Sequence, residues 1–153
     1  MRRVRGNGRT GGGPDDDRRR PGTDDVEAAV TFVVAAEPAS LHGLRRDVVE
    51  FVLGSGGDRT DAETIELATS ELATNVIQHT QATTIDVRVE TTPEQWVLVV
   101  DDAQDLELGG PMTAPPVTSA TGRGLFVVQQ LMDDLDVTTL DGRRVLRCTK
   151  RRR

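Results

Sequence analysis

The stretch Leu67-Ala-Thr-Ser-Glu71-Leu-Ala-Thr-Asn75-Val-Ile-Gln-His79 carries two patterns at once. Ile65, Ala68, Leu72 and Val76 recur at helical spacing and predict a face turned to a core. Glu71, Asn75 and His79 stand at i, i+4 and i+8, so they form one slowly drifting polar stripe. At about 100° per residue that stripe borders the apolar face rather than opposing it. A carboxylate and an amide at the rim of a core can line a cleft. There the amide oxygen can ligate Mg²⁺, and the carboxylate can accept a proton or orient a nucleophile. On spacing alone an ordinary solvated helix face is the commoner meaning. Thr60 and Glu63 have the spacing of a capping box, so the helix is predicted to start there and run to about His79.

Upstream, Ala28–Ala36 is an apolar run rich in Val and Phe and predicts a strand. Pro38 and Ser40 open a helix to about Leu53, with Leu41, Leu44, Val48, Val49 and Val52 as its apolar stripe. Gly54-Ser55-Gly56-Gly57 ends it. Downstream, Ile85, Val87 and Val89 alternate with polar residues, as do Trp96, Leu98 and Val100. These predict two antiparallel strands joined by a turn at Thr91–Glu94. Residues 103–121 contain three prolines and two glycines and predict a long functional loop. Leu125, Val128, Leu131, Met132 and Leu135 trace a further helix. Strands at about Asp136–Leu140 and Arg144–Thr149, with a turn at Asp141-Gly142, close the order β-α-α-β-β-loop-α-β-β. The fold class that follows is α/β: a two-layer α/β sandwich, with helices on one face of a mixed, mainly antiparallel sheet.

The chain has 153 residues, of which 36% are apolar, enough for one modest core. No apolar run reaches the roughly 18 to 20 residues of a membrane helix, and no apolar segment of signal-peptide type follows the basic start. Cys148 is the single cysteine, so neither an intrachain disulfide nor a cysteine metal cluster is available. A cytoplasmic protein without a membrane role is the expectation. The net charge of -6 divides unevenly. Residues 1–25 hold seven arginines and five aspartates, and residues 143–153 hold six arginines, one lysine and no acid. Of 19 basic and 25 acidic residues in all, this leaves 5 and 20 between them, a net of -15. Such a body repels nucleic acid and attracts basic protein surfaces. Residues 1–25 have too few large apolar side chains to offset ordering entropy and are expected to be a disordered tail. The expected domain is 26–150, with a solvated basic tail at 151–153.

Two further segments bear on chemistry. Val97-Leu-Val-Val-Asp101-Asp102 is an apolar run ending in acids where the long loop begins. An aspartate there can accept from an exocyclic amine such as that of adenine, although aspartate also serves turns. Gly122-Arg123-Gly124-Leu125 opens a helix, where free N–H groups and close backbone approach suit an anion such as phosphate. Arg123 offers a charge-assisted contact. A lone Gly-x-Gly is also a common lead-in to a helix.

In their order, these segments resemble the Bergerat ATP-binding fold of the GHKL superfamily. Leu67–His79 is similar to the N box of its anti-sigma-factor serine/threonine-protein kinase branch, and Gly122-Arg-Gly-Leu-Phe-Val-Val-Gln-Gln-Leu131 to the second glycine box. The resemblance spans about residues 29–149. It implies ATP and Mg²⁺ as cofactors, with Glu71 as the general base or water-orienting residue and Asn75 as the Mg²⁺ ligand. It makes Asp101 the adenine-binding residue and residues 103–121 the ATP lid. It also places Gly122 and Gly124, with neighbouring Arg123 and Leu125, by the phosphates. His79 matches a family position and is expected to be a structural rim histidine. The family's Asp-x-Gly-x-Gly is not kept, because Ala103 and Asp105 stand where both glycines are expected. Ala103 and Asp105 resist the backbone freedom that glycine supplies. The function implied is phosphorylation of an anti-anti-sigma protein of STAS type on Ser or Thr, together with sequestration of a sigma factor. The alternative is a non-catalytic module that captures such a partner by contact. Family members often pair, so a homodimer is an expectation.

Overall fold

The computed structural model describes residues 25–105, 122–140 and 143–152. In chain order they form β1 (Ala28–Ala35), a single 3-10 turn (Pro38–Ser40), α1 (Leu41–Gly54), α2 (Arg59–His79), β2 (Thr84–Thr91) and β3 (Gln95–Asp105). Then follow α3 (Gly122–Leu131), β4 (Asp134–Leu140) and β5 (Arg143–Arg151). Residues 1–24 of the expected tail at 1–25, residues 106–121 of the expected lid at 103–121 and the expected turn at Asp141-Gly142 lie outside the described residues.

The sheet order is β1-β2-β3-β5-β4, and each of its pairings is antiparallel. The expected mixed sheet is corrected by one insertion. β3 and β4 both run antiparallel to β5, so they are parallel to each other, as a β-α-β connection through α3 requires. The final hairpin then places β5 between them, and no parallel pair is left in contact. α1 and α2 form an antiparallel helix pair, which returns the chain to the end of the sheet it left and makes β2 antiparallel to β1.

One core lies between the helices and the sheet. Leu44, Val48 and Val52 come from α1, and Ile65, Ala68, Leu72, Ala73 and Val76 from α2. Ile85, Val87, Val89, Trp96, Leu98 and Val100 form the inner rows of β2 and β3, and Val128 and Met132 fix α3 to the same body. Cys148 is buried among them on β5. Burial, and to a smaller extent Asp134, push its thiol up to about 12, so at neutral pH it is an inert apolar group.

Four expectations change in detail. The last helix ends at Leu131 rather than near Leu135, because Leu135 already belongs to β4 and pairs with Cys148. The capping box of α2 is not Thr60 with Glu63. Asp58 caps the helix, accepting from the Asp61 N–H at 2.8 Å, while Asp61 accepts from the Asp58 N–H at 3.2 Å. Both spacings satisfy the motif. The earlier one prevails because the chain arrives extended at Asp58 after Gly56, whose φ is 87°. Glu63 instead pairs with Arg59 on the exposed surface at 3.0 Å. β3 does not end at Asp102 but runs to Asp105, which pairs with Arg143 past a register irregularity. The basic C-terminus is not wholly a solvated tail. Arg151 pairs with Gln95 inside β5, and the Arg152 guanidinium lies 5.1 Å from the centroid of the Trp96 ring. Among the described residues no helix is long and apolar enough to cross a membrane.

Candidate nucleotide site

The predicted stripe on α2 forms where expected. Glu71 and Asn75 are half-buried at the rim of the core, one turn apart. Neither makes a hydrogen bond or ion pair with another described residue. Solvent reaches their polar atoms, so both remain available to a ligand.

Gly124 supplies the third part. It sits in the first turn of α3, directly over this pair. A Cβ on Gly124 would stand 2.9 Å from Glu71 Oε2, and 3.4 and 3.6 Å from Oδ1 and Nδ2 of Asn75. The missing side chain therefore lets the backbone of α3 come up close to both polar groups. The first N–H groups of α3 have no intrahelical partner and favour an anion there. Packing of Val128 and Met132 into the core fixes the helix in this position. Gly122 and Arg123 belong to the same first turn, and the structure describes their backbone placement in α3 only. Leu125 is half-buried and packs against the core, so only its backbone faces the question of a ligand.

Asp101 is not brought to this cleft. Its register partners are Asp86 on β2 and Val145 on β5. Asp86 alternates with the buried Ile85 and Val87, so this row is on the sheet face turned away from the helices. The strand end that motivated the Asp101 assignment is not an end, and the inner row reads Trp96, Leu98, Val100. Beyond Asp101 the pairing is irregular as far as Asp105, and the adjoining acid in the sequence is Asp102. Counting from Asp102 does not restore the family glycines, since Gln104 and Leu106 then occupy their places. His79 is the last residue of α2, is exposed, and makes no hydrogen bond to a described residue, so it is not the bonded rim histidine expected. A histidine there suits the negative end of the helix dipole.

Among the described residues no three His, Cys, Asp or Glu side chains converge as a metal site. The donor set instead suits Mg²⁺, which takes one or two protein oxygens and completes its shell with phosphates and water. Asn75 offers the amide oxygen for that. A groove of about 360 Å³ also opens between α1 and α2, lined by Leu41 and Arg45 on one side and Leu67, Ser70, Glu71 and Thr74 on the other.

Comparison with known proteins agrees with this fold. The family described as histidine kinase-like ATPase domain matches residues 34–150. Among solved structures, the crystal structure of the RsbU and RsbW domains of Rv1364c from Mycobacterium tuberculosis is similar, with a TM-score of 0.61 and 18% identity. The match covers 82% of this chain and 32% of that one, so the present chain spans about a third of its length. No curated protein matches.

Proposed function

Because the chain belongs to the histidine kinase-like ATPase family, we propose that it binds Mg-ATP and phosphorylates an anti-anti-sigma protein of STAS type on serine or threonine, and that it sequesters a sigma factor. The observation that carries this reading is the close approach of the α3 backbone at Gly124 to Glu71 and Asn75. The N-box and glycine-box segments that resemble the anti-sigma kinase branch are the two segments that meet there. The acidic body, net -15 between the arginine-rich ends, suits a basic partner.

In this reading the α3 amides receive the phosphates and Asn75 holds Mg²⁺ through its amide oxygen. When bound, the metal neutralises charge on the phosphates. Glu71 accepts the proton of the acceptor hydroxyl. The hydroxyl oxygen bonds to the γ-phosphorus, the bond from that phosphorus to the bridging oxygen breaks, and the nucleoside diphosphate leaves with the electron pair. We assign the adenine amine to Asp102 rather than Asp101, because the row of Asp101 is turned away from the helices and Asp102 is the adjoining acid in the sequence. The residues at 103–106 favour a second reading, a binding module without transfer, because they lack the flexibility glycine gives.

The test combines a Mg-ATP titration with radiolabel transfer to purified STAS-type proteins. Asp102→Asn should abolish binding and Asp101→Asn should leave it within about twofold; the reverse result would return adenine to Asp101. Glu71→Ala should keep nucleotide and lose transfer by about 10²- to 10⁴-fold, the usual contribution of a general base. Wild type that binds a sigma factor but neither ATP nor acceptor would establish the module instead.

A further inference from the structure

The three helices pack on one face of the sheet. On the other face one row runs Val33, Asp86, Asp101, Val145 across β1, β2, β3 and β5. Asp86 and Asp101 therefore stand directly opposite each other on neighbouring strands. Like charges so placed repel, and a cation set between them turns the repulsion into attraction. The basic side chains of the next row serve elsewhere. Arg88 is held by Glu90 and reaches Thr31, and Arg147 stands opposite Asp136. Asp86 makes no hydrogen bond or ion pair with another described residue.

This face offers an occupant charge rather than apolar area. Val97 and Val145 on it are only 2% and 5% exposed, and among the described residues Val33, at 62%, is its one large exposed apolar side chain. A stable interface between copies needs about 800 Å² from each partner around an apolar centre. A second copy would also bring the same two acids.

The complement is in the chain itself. Arg18-Arg19-Arg20 is the run of arginines nearest to β1, and it ends eight residues before Ala28. Pro21-Gly22, between that run and the strand, is a turn signal. From Ala28 to Val33 is about 17 Å at strand rise, and the midline between β2 and β3 is about 7 Å to the side. Eight residues of extended chain reach about 27 Å, so the run spans the distance with slack.

We propose that Arg18-Arg19-Arg20 folds back over the outer face of the sheet and pairs with Asp86 and Asp101, so that the occupant of this face is the chain's own N-terminal segment. The proposal stands on the sheet and its charges and does not depend on the kinase reading. Charge-assisted bonds from guanidinium groups to two carboxylates hold the contact. Apolar contact adds little, in keeping with a segment that carries few large apolar side chains. While docked, the segment closes this face to other basic surfaces.

The test uses the full chain with a nitroxide at Asp17→Cys. Cys148, buried and with its thiol pushed up to about 12, does not take the label. The label should broaden the amide signals of Asp86, Val99 and Asp101 and leave those of α1 unchanged. Asp86→Lys should abolish the broadening and speed tryptic cleavage after the three arginines about tenfold, because cleavage follows the population of the undocked segment. The isosteric Asp86→Asn should move both in the same direction by about threefold, which keeps the test valid if the lysine variant does not fold. The control Glu63→Lys, on the exposed surface of α2, should match wild type in both. With Asp86→Lys and Asp101→Lys in place, changing Arg18, Arg19 and Arg20 to Glu should restore the broadening. No broadening in wild type, or equal cleavage of wild type and the Asp86 variants, would overturn the proposal. Broadening seen only between spin-labelled and isotope-labelled chains in a mixed sample would also overturn it and give the face to a second copy.

Discussion

Gly124 tests the site at the scale of one atom. In α3 an alanine is ordinarily preferred over glycine by about 1 kcal/mol, so Gly124→Ala should hold or raise thermal stability. The added Cβ, however, would stand 2.9 Å from Glu71 Oε2, which must move aside. Displacements of about 1 Å at a reacting group cost on the order of 10²-fold in rate. The expected outcome is an unchanged or higher Tm in a thermal melt with transfer reduced at least tenfold. Equal transfer by variant and wild type would mean that Glu71 has room to spare and that its position is not critical. The sequence showed Glu71, Asn75 and Gly124 as separate weak signals. It did not show that Gly124 closes on the other two, because that contact joins residues some fifty apart and depends on how α3 packs. The placement of Asp101 was missed for the opposite reason. The deciding fact, strand parity, was local and legible, but an apolar run ending in two acids suggested a strand end that backbone pairing carries past.

At the scale of elements, the apolar stripes of α1 and α2 and the inner rows of β2 and β3 followed from periodicity, because burial on one face leaves few alternatives, whereas the stripe read for α3 ran on into Leu135 of β4. Boundaries were less legible. Two overlapping capping signals precede α2, and only the backbone geometry at Gly56 and Asp58 chooses between them. Substitution separates them. Asp58→Ala should cost about 1 kcal/mol, the usual value of an N-cap, whereas Thr60→Ala should remain within about 0.5 kcal/mol of wild type. Urea unfolding of the two variants is sufficient, and a larger loss at Thr60 would reinstate the sequence reading. The insertion of β5 between β3 and β4 was illegible for a different reason. A hairpin specifies that two strands pair, not on which side the second one lies.

Across the whole molecule, the least expected contribution comes from the C-terminus. Arg152 Nη1 donates to Glu27 Oε2 at 3.0 Å, Thr91 Oγ1 at 3.1 Å and the Thr92 carbonyl at 3.1 Å. Nη2 donates to the Ser55 carbonyl at 3.4 Å, and the guanidinium covers the Trp96 ring. One side chain thus ties the start of β1, the β2–β3 turn and the α1–α2 connection to the end of β5. Its side chain is only 18% exposed, so these bonds are poorly screened. Bonds from a charged donor contribute about 1.5 to 3 kcal/mol, and the cation–π contact about 0.5 to 2, without full additivity. Arg152→Ala should therefore lower unfolding free energy by about 2 to 3 kcal/mol. Arg152→Lys should recover little, since an ammonium cannot span acceptors on three elements. Trp96 and Asp102 are six residues apart on β3, roughly 20 Å at strand rise, so nucleotide affinity should not follow the stability loss. Denaturant unfolding beside a Mg-ATP titration at a temperature where the variant is folded would measure both. A loss below about 0.5 kcal/mol would place Arg152 among ordinary surface residues. A parallel fall in nucleotide affinity would mean instead that the two ends of β3 are coupled through the sheet.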